Sequence, residues 1–218
     1  GEYSEPESYT LSEALNKNYS HVYQEAGTYN VSLIVESGDS SYEDGIRIKI
    51  EKDERGTYLT ALGAGLAVGI AGMGAGVGVG IAGAAGAGTI AEKPDKFGKC
   101  LVFQALPQTQ AIYGLLVAVL LLLFTGVLGA GEFVPLSIGL TAVGVGLAVG
   151  IAGLSAIGQG IAASGSMAAY AEKEELFGRG MVFSVLPETQ AIYGLLIGIL
   201  IMVFTGLLGG NIKAFMLG

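Results

Sequence analysis

Four long apolar stretches fill most of the chain, at roughly 58–91, 99–129, 135–170 and 178–209. Each exceeds the ~20 residues that carry a helix across the hydrocarbon core. None has the polar stripe of a soluble surface helix, and none alternates as a barrel strand does. The pattern therefore predicts four membrane-spanning helices, with both ends of the membrane part on one side. Residues 1–56 follow a different rule. Tyr29, Val31, Leu33 and Val35 alternate with polar neighbours, as do Ile46, Ile48 and Ile50. Period two around the polar stretch Glu36–Ser41 predicts a β-hairpin. The expected fold class is an all-α membrane protein of four transmembrane helices, built as two duplicated helical hairpins and preceded by a small β-rich segment.

Charge sharpens the division. Residues 1–56 hold 12 of the 19 acids and 5 of the 11 bases, so a boundary is expected near Arg55-Gly56. Three units follow: residues 1–56, a first hairpin at 57–130 and a second at 131–218. The first and third connections of the membrane part, at 92–99 and 172–179, carry Lys93, Lys96 and Lys99, and Lys173 and Arg179. The connection Gly129–Pro135 carries no base. The positive-inside rule puts the basic loops in the cytoplasm and both termini outside. A formal charge of −8 excludes an ordinary nucleic-acid binder. One cysteine, Cys100, and one histidine, His21, exclude an intrachain disulfide and any zinc site built on Cys or His.

The duplication is explicit. Residues 91–129 and 171–209 share 23 of 39 positions at an offset of 80, so the unit is a hairpin and both copies point the same way. Parallel repeats separate the chain from transporters built on inverted ones. Within each hairpin the first helix is rich in Gly and Ala and the second is bulky. Small residues let helices approach closely in lipid, so helices 1 and 3 should pack together, with 2 and 4 outside them. The run Gly74-Ala-Gly-Val-Gly-Val-Gly80 is only loosely like a dinucleotide fingerprint. It lies inside an apolar helix, without the strand and turn that such a site needs.

Of the seven acids after residue 56, only Glu188 falls inside an apolar stretch. A carboxylate there costs about 2.5–3.5 kcal/mol on insertion scales, and marks a functional position by default. No Lys or Arg lies within the stretches away from their ends to neutralise it. Its neighbours in each repeat are Thr109 and Gln110, and Thr189 and Gln190; helix 3 adds Gln159. Pro107 and Pro187 should loosen their helices and release a carbonyl four residues back. A carboxylate, amides, a hydroxyl and a carbonyl make an oxygen-only set suited to a hard ion such as Na⁺. In the first repeat Gln108 stands where the second has Glu188, so two hairpins share one charge.

The copies Leu106-Pro-Gln-Thr-Gln-Ala-Ile-Tyr-Gly114 and Leu186-Pro-Glu-Thr-Gln-Ala-Ile-Tyr-Gly194, the Gly-rich helices and the two Ala-Glu-Lys loops resemble the proteolipid rotor-ring subunit of V-type and archaeal A-type ATPases and ATP synthases. The resemblance covers about residues 58–210. It implies an ion-translocating ring subunit with no catalytic chemistry of its own. The sodium-type pattern, carried onto this chain, implies as ligands the Leu106 carbonyl, Thr109, Gln110, Gln159 and Glu188, with Tyr113 bonding the carboxylate. It also implies a homo-oligomeric ring, a stator subunit supplying an Arg, central-stalk contacts at loops 92–99 and 172–179, surrounding lipid, and residence in a cell membrane. The cargo is expected to be Na⁺. Alternatives are the same role with H⁺ or, in another class, a small secondary transporter.

The run His21-Val-Tyr-Gln-Glu-Ala-Gly-Thr-Tyr-Asn-Val-Ser-Leu33 resembles the end of a polycystic-kidney-disease-type immunoglobulin-like domain, an extracellular module. Rotor subunits normally lack such a segment, and only its second half is matched. Processing, or a missing upstream portion, is the expectation. Asn18-Tyr-Ser20 and Asn30-Val-Ser32 fit the glycosylation pattern, which chance also produces, and His21 reads as a strand residue.

Overall fold

The computed structural model describes residues 27–37, 40–50, 53–129 and 134–209. His21, the Asn18 sequon and Glu132 of the base-free connection lie outside the described residues. The chain separates into two units, Gly1–Lys52 and Asp53–Gly218.

In the first unit, strands β1 (Gly27–Ser37) and β2 (Ser40–Ile50) form an antiparallel pair. The register sets Tyr29 opposite Ile48 and Val31 opposite Ile46, with Asn30 opposite Arg47. The apolar positions of the two strands thus share one face, as period two requires. On the other face the Arg47 Nε donates to Asn30 Oδ1 at 3.3 Å.

The second unit holds four helices long and apolar enough to cross a membrane: α1 (Arg55–Glu92), α2 (Pro94–Phe124), α3 (Leu136–Glu172) and α4 (Glu174–Phe204). At the start of α1 the Arg55 guanidinium bonds Asp53 at 2.8 Å and holds its carboxyl down to about 2. The helices overrun the apolar stretches at the basic loops, which shrink to Lys93 or Lys173 followed by one 3₁₀ turn. At the opposite end α2 and α4 stop earlier than their hydrophobicity suggests. Gly126 and Gly206 adopt φ of 75° and 74°, a left-handed step that turns the chain out of the helix.

Helices α1 and α3 form the inner pair, because glycine removes the side chains that would hold them apart. A methyl group on Gly63 would strike the Ala142 carbonyl, and one on Gly146 the Gly63 carbonyl. Lower down, Gly78 and Gly160 face each other in the same way. The bulky helices pack on this pair, with Gly114 of α2 against Ala67 of α1 and Gly194 of α4 against Ala148 and Ala152 of α3. Val117, Leu121, Ile138, Val145 and Met202 fill the space between.

At the basic-loop end the hairpins are tied together by lysine. Lys93 Nζ donates to the Ala171 carbonyl at 2.6 Å. Lys96 Nζ donates to the Tyr170 and Ala171 carbonyls at 3.2 and 3.0 Å. These are terminal carbonyls of α3, where a cation meets both the orphan acceptors and the negative end of the helix dipole. Lys96 is therefore only 7% exposed, so this base of the loop is turned inward rather than presented to water.

Candidate functional site

Three of the four helices are interrupted, two of them at the same position of the repeat. In α2 the segment Leu106–Gln108 is a single 3₁₀ turn, and in α4 a turn at Leu186-Pro187 precedes the helix restarting at Glu188. Proline accounts for both, since it offers no amide to the preceding turn. The released chain tightens, and the Leu106 carbonyl accepts from the Thr109 amide and, at 3.0 Å, from the Thr109 hydroxyl. The third interruption, at Leu154 in α3, has no proline. There Leu154 and Ile157 form bonds spanning three residues, and the buried Ser155 hydroxyl oxygen has no hydrogen-bond partner. Sequence reasoning missed this break: a leucine beside Gly153 carries no breaker signal specific enough to find it.

Around these breaks the six predicted site residues form one chain of hydrogen bonds. The Thr109 hydroxyl lies 3.0 Å from both the Leu106 carbonyl and Gln110 Oε1, and its single proton serves one at a time. Gln110 Nε2 donates to Gln159 Oε1 at 2.6 Å, joining α2 to α3. Gln159 Nε2 reaches Glu188 Oε2 at 3.4 Å, joining α3 to α4. Tyr113 closes the loop by donating to Glu188 Oε1 at 2.7 Å. Gln110 and Gln159 are both fully buried, and their amides satisfy one another. The counterparts of Thr109 and Gln110 in the second repeat do not join this cluster. Thr189 bonds only its own Leu186 carbonyl, and Gln190 is exposed.

Among the described residues no three His, Cys, Asp or Glu side chains stand together. Any cation held here would rest on neutral oxygens around one carboxylate, and four such oxygens are already adjacent: those of Leu106, Thr109, Gln110 and Gln159. No base approaches Glu188 in the hydrogen bonds or ion pairs of the described residues.

Fold and site together define a multi-pass membrane protein with one intramembrane carboxylate set in a neutral polar cluster. The family model for the ATP synthase C subunit matches residues 62–121 and again 143–201, one match per hairpin, and the chain belongs to that family. It is 59% identical over 157 residues to the A-type ATP synthase subunit K of Methanocaldococcus jannaschii, covering 72% of this chain and 66% of that protein. It is 33% identical over 147 residues to the V-type sodium ATPase subunit K of Enterococcus hirae, covering 67% and 84%. Identity to the c' subunit of the V-type proton ATPase of Neurospora crassa is 28% over 144 residues, covering 66% and 85%. These relatives are named as subunits of ATP synthases and ATPases.

Proposed function

We propose that the chain is an ion-carrying rotor-ring subunit of an A/V-type ATP synthase or ATPase, with one Na⁺ per chain carried on Glu188. The observation that carries this reading is the uncompensated carboxylate. Glu188 sits in an apolar helix with a tyrosine and an amide for company and, among the described residues, no base in reach. A naked charge in lipid is costly, so the group must travel with a cation or a proton. ATP chemistry would belong to other subunits.

The ligands we assign are the Leu106 carbonyl, Thr109 Oγ1, Gln110 Oε1, Gln159 Oε1 and the Glu188 carboxylate, with Tyr113 steadying the last. A hard cation prefers such oxygens, and a proton would need only one of them. The sodium ATPase named for the Enterococcus relative supports the same choice. On entry the ion would add ion–oxygen contacts, with Gln159 Oε1 still accepting from Gln110 through its second lone pair. On meeting a stator Arg the carboxylate would be shared, and its hold on the ion would weaken. The basic loops would face the cytoplasm and the central stalk, with both termini outside the cell membrane.

The experiment is Glu188→Gln in the intact complex. Ion-coupled ATP hydrolysis should be lost, and coupled activity persisting at the parent level would remove the ion-carrier role.

A further inference from the structure

The offset of 80 leaves one groove unfilled at the outer flank of the second hairpin. In the first hairpin the groove between α1 and α2, at Ala82, Cys100 and Phe103, is filled by Ala163, Met167 and Tyr170 of α3. The equivalent groove of the second hairpin is an open cavity of about 380 Å³ lined by Ala162, Ser166, Gly180 and Phe183. These four are the same positions plus 80: Ala82, Gly86, Cys100 and Phe103. The residues that would fill it, by the same arithmetic, are Gly83, Ala87 and Ile90, which lie on α1. None of them is buried within the chain. A second copy of this chain, placed as the second hairpin is placed against the first, brings those residues into the groove.

The same operation acts at the depth of the ion site. Within the chain, Tyr113 of α2 receives Glu188 of α4 and Gln110, held by Thr109, receives Gln159 of α3, both from the neighbouring hairpin. Among the described residues their counterparts Thr189, Gln190 and Tyr193 have no such guest, and Gln190 and Tyr193 are exposed on α4. The residue equivalent to Glu188 is Gln108, which is exposed on α2. We propose that where two copies meet, Thr189, Gln190 and Tyr193 of one copy receive Gln108 of the next, forming a neutral counterpart of the ion site that fastens the copies and binds no ion. This rests on the ring reading above.

The chemistry explains why the seam holds no cargo. Tyr193 would donate to Gln108 Oε1, as Tyr113 does to Glu188, and the Gln108 amide would donate to Gln190 Oε1. Each exposed polar group then finds a partner in lipid, where leaving it alone is expensive. The position equivalent to Gln159 is Val79, so one amide oxygen is missing as well as the charge. Without a carboxylate, the remaining neutral oxygens leave a cation's charge unbalanced in lipid.

Two experiments on the assembled ring test this. In a Cys100→Ser background, Gln108→Cys with Gln190→Cys should cross-link copies into a ladder of multimers under oxidation. An intact ring, seen by electron microscopy, that gives no ladder would overturn the proposed seam. Absence of any ring in the parent protein would instead strike the ring reading. Second, Val79→Gln with Gln108→Glu should restore the missing groups, and bound ²²Na⁺ per chain should rise about twofold over a parent that binds one. Binding unchanged from the parent in an assembled ring would refute the equivalence of the two sites.

Discussion

Gln159→Leu separates the proposed ion site from the fold around it. Gln159 makes two bonds of unequal strength. The contact to Glu188 Oε2 is 3.4 Å, at the weak end of the range, while the one from Gln110 Nε2 to Gln159 Oε1 is 2.6 Å. Leucine keeps the bulk, so packing against the fully buried position changes little. Without the ion, the main loss is the acceptor for the buried Gln110 amide, about 1–3 kcal/mol of stability. That cost is present whether or not the ion is bound, so it cancels from the binding equilibrium. The affinity change comes from the lost ligand oxygen alone. Taking about 1.5–3 kcal/mol for a contact to a charged partner, the Na⁺ concentration needed for half-occupancy should rise roughly 10- to 150-fold. The assay is carbodiimide labelling of Glu188 at fixed pH across a Na⁺ titration, with thermal unfolding followed separately. Labelling itself should persist. A shift below about threefold in a folded protein would show that Gln159 is no ligand and serves only to bridge α2 and α3.

Three further outcomes are expected. Gly63→Val should lower the yield of folded protein, because the side chain meets the Ala142 backbone; overpacking costs typically about 1–3 kcal/mol, while Gly98→Ala, facing open space, should be neutral or mildly stabilising. Lys96→Met strips the Tyr170 carbonyl of its lysine donor, while Ala171 keeps Lys93, and should lower the melting temperature by the equivalent of about 1–2 kcal/mol, measured by thermal denaturation in detergent. Protease added to right-side-out membranes should clip near Asp53–Arg55, whose side chains are 37% and 72% exposed; cleavage confined to inverted vesicles would reverse the assigned topology.

Much of the fold was legible because lipid imposes a narrow rule: unbroken apolar length means helix. The inner and outer pairing was expected from the Gly- and Ala-rich first helix of each hairpin, and the structure shows where their backbones meet, at Gly63, Gly146, Gly78 and Gly160. The site was legible for a related reason, since one charge among apolar residues stands out, and the 80-residue offset aligned Thr109 and Gln110 with it. Three features were not legible. Lys96 counted as a loop charge, but a cation beside a helix C-terminus is drawn inward, and that depends on where α3 ends. The break at Leu154 lies against the close α1–α3 contact at Gly74 and carries no local signal. Proline predicted looser helices at 107 and 187, yet it could not say that the tightened turn would set the Leu106 carbonyl against the Thr109 hydroxyl.

Competition between Na⁺ and carbodiimide at Glu188 in the purified ring decides which ion the carboxylate carries. A bound ion occupies the carboxylate and blocks the reagent, which attacks the protonated form. Na⁺ should therefore slow labelling, and less Na⁺ should suffice as pH rises and the competing proton becomes scarce. Labelling that follows pH alone, unchanged by Na⁺ at millimolar concentrations and above, would contradict the account and assign Glu188 to the proton.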